Sequence, residues 1–188
     1  MTSARIVGPV ILGIMTIQAV ALHLMGRVWI CNCGTVRFWV GDIWSPELSQ
    51  QIFDWYTPSH VVHGILFYGL LHLLLPRTPV VVRLAIAAGI EGAWEIAENS
   101  PWVIEAYRKQ ALAAGYTGDS VLNSLLDMVA MMTGFALARL LPWKATVALV
   151  LVLEIGAALV VRDNLTLNIL NFIHRFPAIE AWQQGAQR

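Results

Sequence analysis

Charged residues are scarce in this sequence. They make up 13% of its 188 residues, whereas soluble domains carry roughly 25%. Hydrophobic residues account for 57%, so the composition indicates that lipid, rather than water, surrounds much of the chain. Basic and acidic residues number 12 each. There is no basic block and no acidic tail, so we predict no nucleic-acid partner.

Cysteine is equally rare. Cys31 and Cys33 are the two cysteines of the sequence, which is too few for a disulfide framework. A disulfide between residues two apart in an extended chain misses the preferred geometry. A thiol metal site, pairing with a partner protein and packed, unreactive cysteines all stay open as alternatives.

Long apolar runs are abundant. Each run is expected to be a helix, because lipid offers no partner for backbone polar groups and the segment must satisfy them itself. We therefore predict an all-α fold, a helical bundle forming a single membrane domain over residues 1–188. The first run is close to the ~20 residues that a span needs, so we predict a retained span rather than a signal peptide. The predicted transmembrane helices cover about residues 6–28, 59–75, 80–97, 120–141 and 145–161.

The connections between these segments differ in length and composition. The connection 29–58 is rich in tryptophan, which suits the headgroup region of a bilayer. The connection 99–118 is predicted to include a short surface helix over 102–114. The tail 164–188 alternates apolar residues with asparagines and is predicted to be an amphipathic surface helix. Gly64, Gly69, Gly89 and Gly92 are expected to let helices approach closely.

Basic residues in the two tight turns set the predicted orientation. These turns carry Arg77, Arg83, Arg139 and Lys144 and no acid. The positive-inside rule then places the turns and the N-terminus in the cytoplasm, and the long connections and the tail outside. The basic residues of the tail, Arg162, Arg175 and Arg188, argue mildly against this orientation.

Polar side chains follow one face of each of three predicted spans. Residues three, four, seven or eight apart lie on the same side of a helix. The second and fourth spans begin on the side on which the third ends, so we expect the three stripes to meet at one membrane face. The stripes are His60 and His63, then Glu91, Glu95 and Glu98, and finally Asp119, Asn123 and Asp127, with Asn99 just after the third span.

Carboxylates in this position need a cation or a proton. A charge at the centre of a span costs roughly 2.5–3.5 kcal/mol on insertion scales, so such residues indicate a functional site. Imidazole together with carboxylate suits zinc, manganese or iron, and we predict a divalent metal held by His60, His63, Glu95 and Asp127. The arrangement is similar to helix-bundle carboxylate sites but lacks their Glu-x-x-His pair.

The remaining predicted roles follow from a hydrolytic reaction. Glu91 or Glu98 would act as general base, and Arg108 would bind a phosphate. Asp119, Asn123 and Asn99 would complete the polar site.

Structural explanations stay open beside these roles. The two histidines could be interfacial and bonded to loop carbonyls, and the glutamates could serve hydrogen bonding between helices. Asp119 lies in Gly118-Asp119-Ser120, a sequence typical of a helix N-cap. Glu154 lies in mid-span of the fifth segment and could approach the site from the side.

Four strings carry a resemblance: DWYTPSHVVHG, EGAWEIAENSPWVIEAYR, YTGDSVLNSLLD and RDNLTLNIL. With them the chain resembles an uncharacterised family of bacterial multi-pass inner-membrane proteins, a domain of unknown function. The resemblance covers nearly the whole chain. It implies a location in the plasma membrane and no particular activity.

Three functions are consistent with these features. The first is a membrane enzyme, metal-dependent in one version, that acts at the outer face on a lipid-linked or membrane-bound substrate. The second is a structural or assembly subunit that binds another membrane protein through the loop 29–58 and the tail. The third, ranked lower because no repeat is visible, is a transporter coupled to protons or cations.

Overall fold

The computed structural model describes residues 2–110, 112–113 and 115–185, with side chains from Arg5 onward. Over these residues the chain is predominantly helical, with two strands of two residues each, which confirms the predicted helical class. The elements, in chain order, are α1 (Thr2–Leu24), β1 (Trp39–Val40), β2 (Phe53–Asp54), α2 (Thr57–Leu74), α3 (Val80–Glu98), α4 (Pro101–Arg108), α5 (Val121–Leu140), α6 (Trp143–Val161), α7 (Leu165–Ile173) and α8 (Pro177–Gln184).

Three of the described helices, α1, α5 and α6, are long and apolar enough to cross a membrane. Helices α2 and α3 are of similar length, 18 and 19 residues. The histidines of α2 and the four charged side chains of α3 make these two helices less apolar. Membrane crossing by α2 and α3 therefore stays a prediction.

Two predicted surface helices differ from the structure. The helix expected over 102–114 ends at Arg108, and Ala114 lies outside the described residues. The tail forms two short helices rather than one, because Pro177 begins α8 at a position where proline is favoured. Residues 186–188, the end of the predicted tail, also lie outside the described residues.

Helices α2 and α5 form the closest pair in the bundle. A β-carbon added to Gly64 would overlap the carbonyl oxygen of Met131, and one added to Gly134 would overlap that of Val61. The absence of side chains at these glycines lets the two backbones touch. This contact carries the histidines of α2 alongside the polar end of α5.

Large apolar side chains cover the outside of the bundle. Leu12 of α1 is 67% exposed, and Leu73 of α2 and Leu159 of α6 are each 77% exposed. Water-soluble monomers rarely present a continuous apolar surface of this kind. The buried centre is divided between an apolar half around Met128, Met131 and Phe135 and a polar half that forms the candidate site.

Candidate functional site

His60 lies at the centre of the polar half and contacts two glutamates of the facing helix. Its Nδ1 atom is 2.7 Å from Glu91 Oε1 and 3.3 Å from Glu95 Oε1. Both glutamates are completely buried. One imidazole thus contacts carboxylates from successive turns of α3, as their spacing of four residues requires.

His63 joins the same cluster one turn further along α2. Its Nδ1 atom is 3.2 Å from Glu91 Oε2, and its ring packs edge-on against that of His60, with centroids 5.3 Å apart. The carboxylate of Glu91 is therefore shared by two imidazoles. The structure brings the His-x-x-His pair and the glutamate stripe together at one end of the bundle.

Asp127 reaches the cluster from the third side. Its Oδ2 atom is 3.8 Å from His60 Nε2, which is beyond hydrogen-bond distance. Its Oδ1 atom is buried and has no hydrogen-bond partner in the part of the chain that the structure describes, and Oε1 of Glu95 has only the contact with His60 Nδ1 at 3.3 Å. Unpartnered buried carboxylate oxygens are costly unless a cation or a proton occupies the space beside them.

Two residues outside the predicted set position Glu95. The Ser124 hydroxyl donates to Glu95 Oε2 at 2.6 Å, and Gln18 of α1 donates to the same hydroxyl oxygen at 2.7 Å. Gln18 is completely buried. The sequence analysis missed Gln18, although a lone amide within an apolar span was a usable signal.

A second polar group extends the cluster toward the surface. Asn99 and Asp119 pair reciprocally: the Asn99 amide donates to Asp119 Oδ2 at 2.6 Å, and the Asp119 backbone N–H donates to Asn99 Oδ1 at 2.7 Å. The Tyr116 hydroxyl donates to the other oxygen of Asp119 at 2.9 Å. The N-cap of α5 is Ser120, whose side chain accepts from the backbone of Asn123, so capping does not explain Asp119.

Asn123 and Ser120 connect the long loop to the bundle. The Asn123 amide donates to the carbonyl of Gln51 at 2.9 Å, and the Ser120 hydroxyl donates to that of Gln50 at 3.0 Å. The loop segment around Gln50 and Gln51 is therefore fixed over the start of α5. Asn123 therefore has a structural role in this structure, because it fixes this loop segment over the site.

A cavity of about 280 Å³ opens above the cluster. Its lining combines the site side chains with residues of the loop, of α4 and of α7. Four carboxylates, two histidines and three tyrosines are among them, namely Asp54, Glu98, Asp119, Asp127, His60, His63, Tyr56, Tyr107 and Tyr116. The apolar part of the wall comes from Trp44, Trp94, Leu165, Ile169 and Phe172, among others. Within the described residues, the lining holds no lysine or arginine.

Burial shifts the titration of the groups around the cavity mouth. It raises the pKa of Asp119, although hydrogen bonds from Asn99 and Tyr116 oppose the rise. It likewise raises the pKa of Asp54, even though the backbone N–H groups of Tyr56 and Ser49 donate to that carboxylate. The cavity mouth therefore favours neutral carboxyl groups unless a positive charge compensates them.

Arg108 and Glu154 lie away from the cluster. Arg108 is exposed and donates to the carbonyl of Tyr116 at 2.7 Å, and it lines a separate groove with Arg27 and Lys109. The structure does not place Arg108 beside the residues with which it was predicted to act. Glu154 accepts from the backbone of Leu165 and from Thr166, so it caps α7 and does not join the site.

Cys31 and Cys33 are joined by a disulfide. This pairing was not among the three alternatives that the sequence left open for the two cysteines. The chain between them is bent rather than extended, since the Cys33 backbone N–H lies 3.1 Å from the Cys31 sulfur atom. This turn begins the loop that covers the cavity.

Two groups of side chains in the cluster could hold a metal ion. His60, His63 and Glu91 each offer a ligand atom, and these atoms lie within 4.8 Å of one another; the same is true of His60, Glu95 and Glu98. Nitrogen and carboxylate oxygen donors together fit zinc, manganese or iron. The four predicted ligands were His60, His63, Glu95 and Asp127. The structure groups both histidines with Glu91 and groups His60 with Glu95 and Glu98, whereas Asp127 lies outside both groups.

The fold and the site together define a class of protein. It is a helical protein whose described residues include three helices apolar enough to span a bilayer and a buried histidine–carboxylate cluster beneath a cavity at one end of the bundle. The chain belongs to the family described as "Protein of unknown function (DUF2585)", whose model matches residues 22–185.

Bacterial relatives share most of the chain. It is 52% identical over 174 residues to a UPF0314 protein of Rhizobium meliloti, a match that covers 93% of this chain and 88% of the relative. It is 47% identical over 176 residues to a UPF0314 protein of Brucella anthropi, covering 94% and 89% of the two chains. A UPF0314 protein of Sphingopyxis alaskensis is 48% identical over 172 residues, which is 92% of each chain. No solved structure matches significantly.

Proposed function

We propose that this protein is a multi-pass enzyme of the bacterial inner membrane that uses a divalent metal ion at its outer face to act on a membrane-bound substrate. The ligands of the ion would be His60, His63 and Glu91. Zinc, manganese and iron are the candidate metals. The site would open where lipid headgroups lie, so a lipid-linked molecule could reach it without leaving the membrane.

One observation carries this proposal. Two imidazoles that line the cavity contact a single, fully buried carboxylate. A purely structural network is expected to satisfy its polar atoms, yet Asp127 Oδ1 is buried without a partner among the described residues, and Glu95 Oε1 has only the contact with His60 Nδ1 at 3.3 Å. A cation held by the neighbouring His60, His63 and Glu91 would offset part of that cost.

The chemistry that fits this arrangement is hydrolysis or group transfer. Bound zinc would lower the pKa of a water ligand to about 7. Asp127, which lines the cavity, would accept a proton from water or from a substrate hydroxyl group. His60, held between Glu91 and Glu95, would keep its orientation throughout. Glu98 remains a second candidate for the base.

Several features support membrane insertion with this face outside. The outward leucines of α2 resemble those of α1 and α6, which supports α2 as a further span. The covering loop contains a disulfide, and disulfides persist in the periplasm rather than in the cytosol. Trp29, Trp39 and Trp44 are exposed on that loop, as expected of side chains at headgroup depth.

Metal content tests the proposal. The protein would be purified in mild detergent, loaded separately with zinc, manganese and iron, desalted, and analysed by inductively coupled plasma mass spectrometry. We expect near-stoichiometric metal in the wild type and its loss in His63→Ala and in Glu91→Gln. His174→Ala, which removes an exposed histidine, is the matched control and should retain the metal. Absence of metal from the folded wild type under all three conditions would overturn the metalloenzyme proposal.

The exposed aromatic side chains of the loop favour a second candidate function, an assembly subunit that binds another membrane protein. Phe38 is 71% exposed and Trp29 is 53% exposed. If the protein is such a subunit, cells carrying Phe38→Ser should show the defect of cells that lack the protein, whereas cells carrying Glu91→Gln should not. The enzyme proposal predicts the reverse, with both variants accumulating to normal levels.

A further inference from the structure

We propose that the cavity binds an ammonium group carried by an amphiphile, such as the headgroup of an amine-containing lipid. This inference rests on the proposed function in one respect, because it takes the cavity as the substrate site. It replaces the phosphate ligand that the sequence suggested for Arg108.

The charges that line the cavity point to a cationic ligand. Four carboxylates form part of its wall, and the described lining contains no lysine or arginine. The nearby basic residues Arg27 and Arg108 instead donate to the backbone carbonyls of Thr117 and Tyr116. An anionic headgroup would therefore meet acidic side chains and no lysine or arginine of the described lining, whereas an ammonium group would meet side chains that can pair with it.

One carboxylate of the lining has an unused position. Asp127 is 5% exposed, lines the cavity, and has one oxygen without a partner among the described residues. Asp54 and Asp119, by contrast, accept hydrogen bonds from the surrounding chain. Glu98 is half-buried and is the most accessible of the four carboxylates. Asp127, and Glu98 beside its partner Tyr107, are the acids that we expect to pair with a ligand.

Aromatic side chains surround these acids. The rings of Tyr56, Tyr107 and Tyr116 line the cavity together with Trp44 and Trp94. Tyr107 and Tyr116 meet edge to face with ring centroids 5.4 Å apart, which makes a corner of two differently oriented rings. Aromatic faces attract alkylated ammonium groups strongly once water is excluded.

The apolar part of the wall indicates that the ammonium group belongs to an amphiphile. Helix α7 contributes Leu165, Ile169 and Phe172 to the lining, and Ile169 is also 49% exposed on its outer side. An acyl or alkyl chain could follow this side of the cavity toward the bilayer. A small soluble amine would contact the carboxylates and the aromatic rings but not α7.

Matched amphiphiles test the proposal. Octyltrimethylammonium and octyl phosphate carry the same chain and opposite charges, and tetramethylammonium carries the headgroup alone. Each would be titrated into the metal-loaded protein in maltoside micelles by isothermal titration calorimetry, with empty micelles subtracted. We expect saturable binding of octyltrimethylammonium, at least about tenfold tighter than that of octyl phosphate. Equal binding of tetramethylammonium would support the ammonium site and identify a soluble amine as its source.

Glu98→Gln and Glu105→Gln provide the matched pair of variants. Glu105 is an exposed acid of α4 that lines the separate basic groove. We expect Glu98→Gln to weaken octyltrimethylammonium binding about tenfold or more and Glu105→Gln to change it less than about twofold. Preference for octyl phosphate, or binding that neither variant alters, would overturn the proposal. Metal content measured on the same samples reports separately on the proposed function.

Discussion

The hydroxyl of Ser124 shows how single polar atoms hold the cluster together. It donates to Glu95 and accepts from Gln18, and so it connects three helices at one buried point. A buried carboxylate that loses its donor bears the cost of its own desolvation. Ser124 is therefore expected to matter more for stability than its small size indicates.

Ser124→Ala is predicted to lower the unfolding free energy by roughly 1–3 kcal/mol, because Glu95 Oε2 and the Gln18 amide both lose a partner. Thr133→Ala on the same helix is the control, since its exposed hydroxyl bonds only to the backbone carbonyl of Val129. Its effect should stay within about 0.5 kcal/mol. Thermal unfolding in detergent, followed by tryptophan fluorescence, measures both variants. Equal effects would show that the Ser124 hydrogen bonds contribute nothing.

Asp163 gives the protein a pH-dependent stability. Burial raises the pKa of Asp163 to about 6, against 3.8 for the ordinary side chain, although hydrogen bonds from Asn164 and Tyr56 oppose this rise. The folded state therefore holds its proton at pH values where the unfolded state has already released it. The stabilisation that protonated Asp163 gives to the folded state is complete below about pH 4 and is lost as the pH rises through about 6.

The wild type should accordingly lose up to about 3 kcal/mol, relative to Asp163→Asn, when the pH is raised from 4 to 7. Unfolding temperatures measured across this range in the same detergent would show the two curves diverging. Asp42→Asn, at an exposed position, should give a curve parallel to that of the wild type. Parallel curves for Asp163→Asn as well would contradict the effect of burial.

At the scale of the helices, the contact between α2 and α5 sets the position of the site. Gly64 and Gly134 lie where the two backbones touch, and His60 lies one turn from Gly64. A change in this contact would therefore move the histidines relative to Asp127.

Close approaches were predicted at Gly64, Gly69, Gly89 and Gly92. The structure has near neighbours at Gly64 and Gly92, whereas an added β-carbon would meet no atom within 4 Å at Gly69 or Gly89. Gly134 was not predicted, because a glycine among apolar residues does not reveal which partner helix it faces.

Gly64→Ala is predicted to prevent normal folding, since its methyl group would overlap the Met131 carbonyl and overpacking costs roughly 1–3 kcal/mol or more. Gly69→Ala on the same helix is the control. A β-carbon added to Gly69 meets no atom within 4 Å, so this variant should accumulate like the wild type. Fluorescence-detected size-exclusion chromatography of both variants would measure the folded yield. A normal peak for Gly64→Ala would mean that the two helices are further apart.

Helical periodicity accounts for what could be predicted about the elements and the site. Lipid requires helices, so apolar runs located the five long ones to within a few residues. Spacings of three, four and seven residues placed the polar stripes on faces that do meet. The path of the loop 29–58 and the position of Arg108 depend on long-range contacts that have no periodic signal. The sequence could therefore not predict which residues line the cavity or in which direction Arg108 extends.

At the scale of the whole molecule, the basic turns and the covering loop indicate that the two ends of the bundle lie on opposite sides of the membrane. Arg139 and Lys144 flank the tight turn after α5, whereas the loop with Cys31 and Cys33 covers the other end. The proposed orientation puts this disulfide in the periplasm. It also puts the cavity within reach of the outer leaflet.

Thiol labelling of intact cells tests that orientation. After mild reduction, a membrane-impermeant maleimide should modify Cys33, whose side chain is exposed, and should do so without permeabilising the inner membrane. A cysteine introduced by Lys144→Cys, in a Cys31→Ser/Cys33→Ser background, should react only after permeabilisation. The opposite labelling pattern would show that the protein has the reverse orientation, with the cavity facing the cytoplasm.

The central claim is that His60, His63 and Glu91 bind one metal ion. X-ray absorption spectroscopy at the metal edge of the zinc-loaded protein tests it most directly, because imidazole rings give characteristic outer-shell scattering. The claim predicts a first shell of nitrogen and oxygen atoms at about 2.0–2.1 Å, with scattering from two imidazoles in the wild type and from one or none in His63→Ala. A shell of oxygen atoms without imidazole scattering, unchanged in that variant, would contradict it.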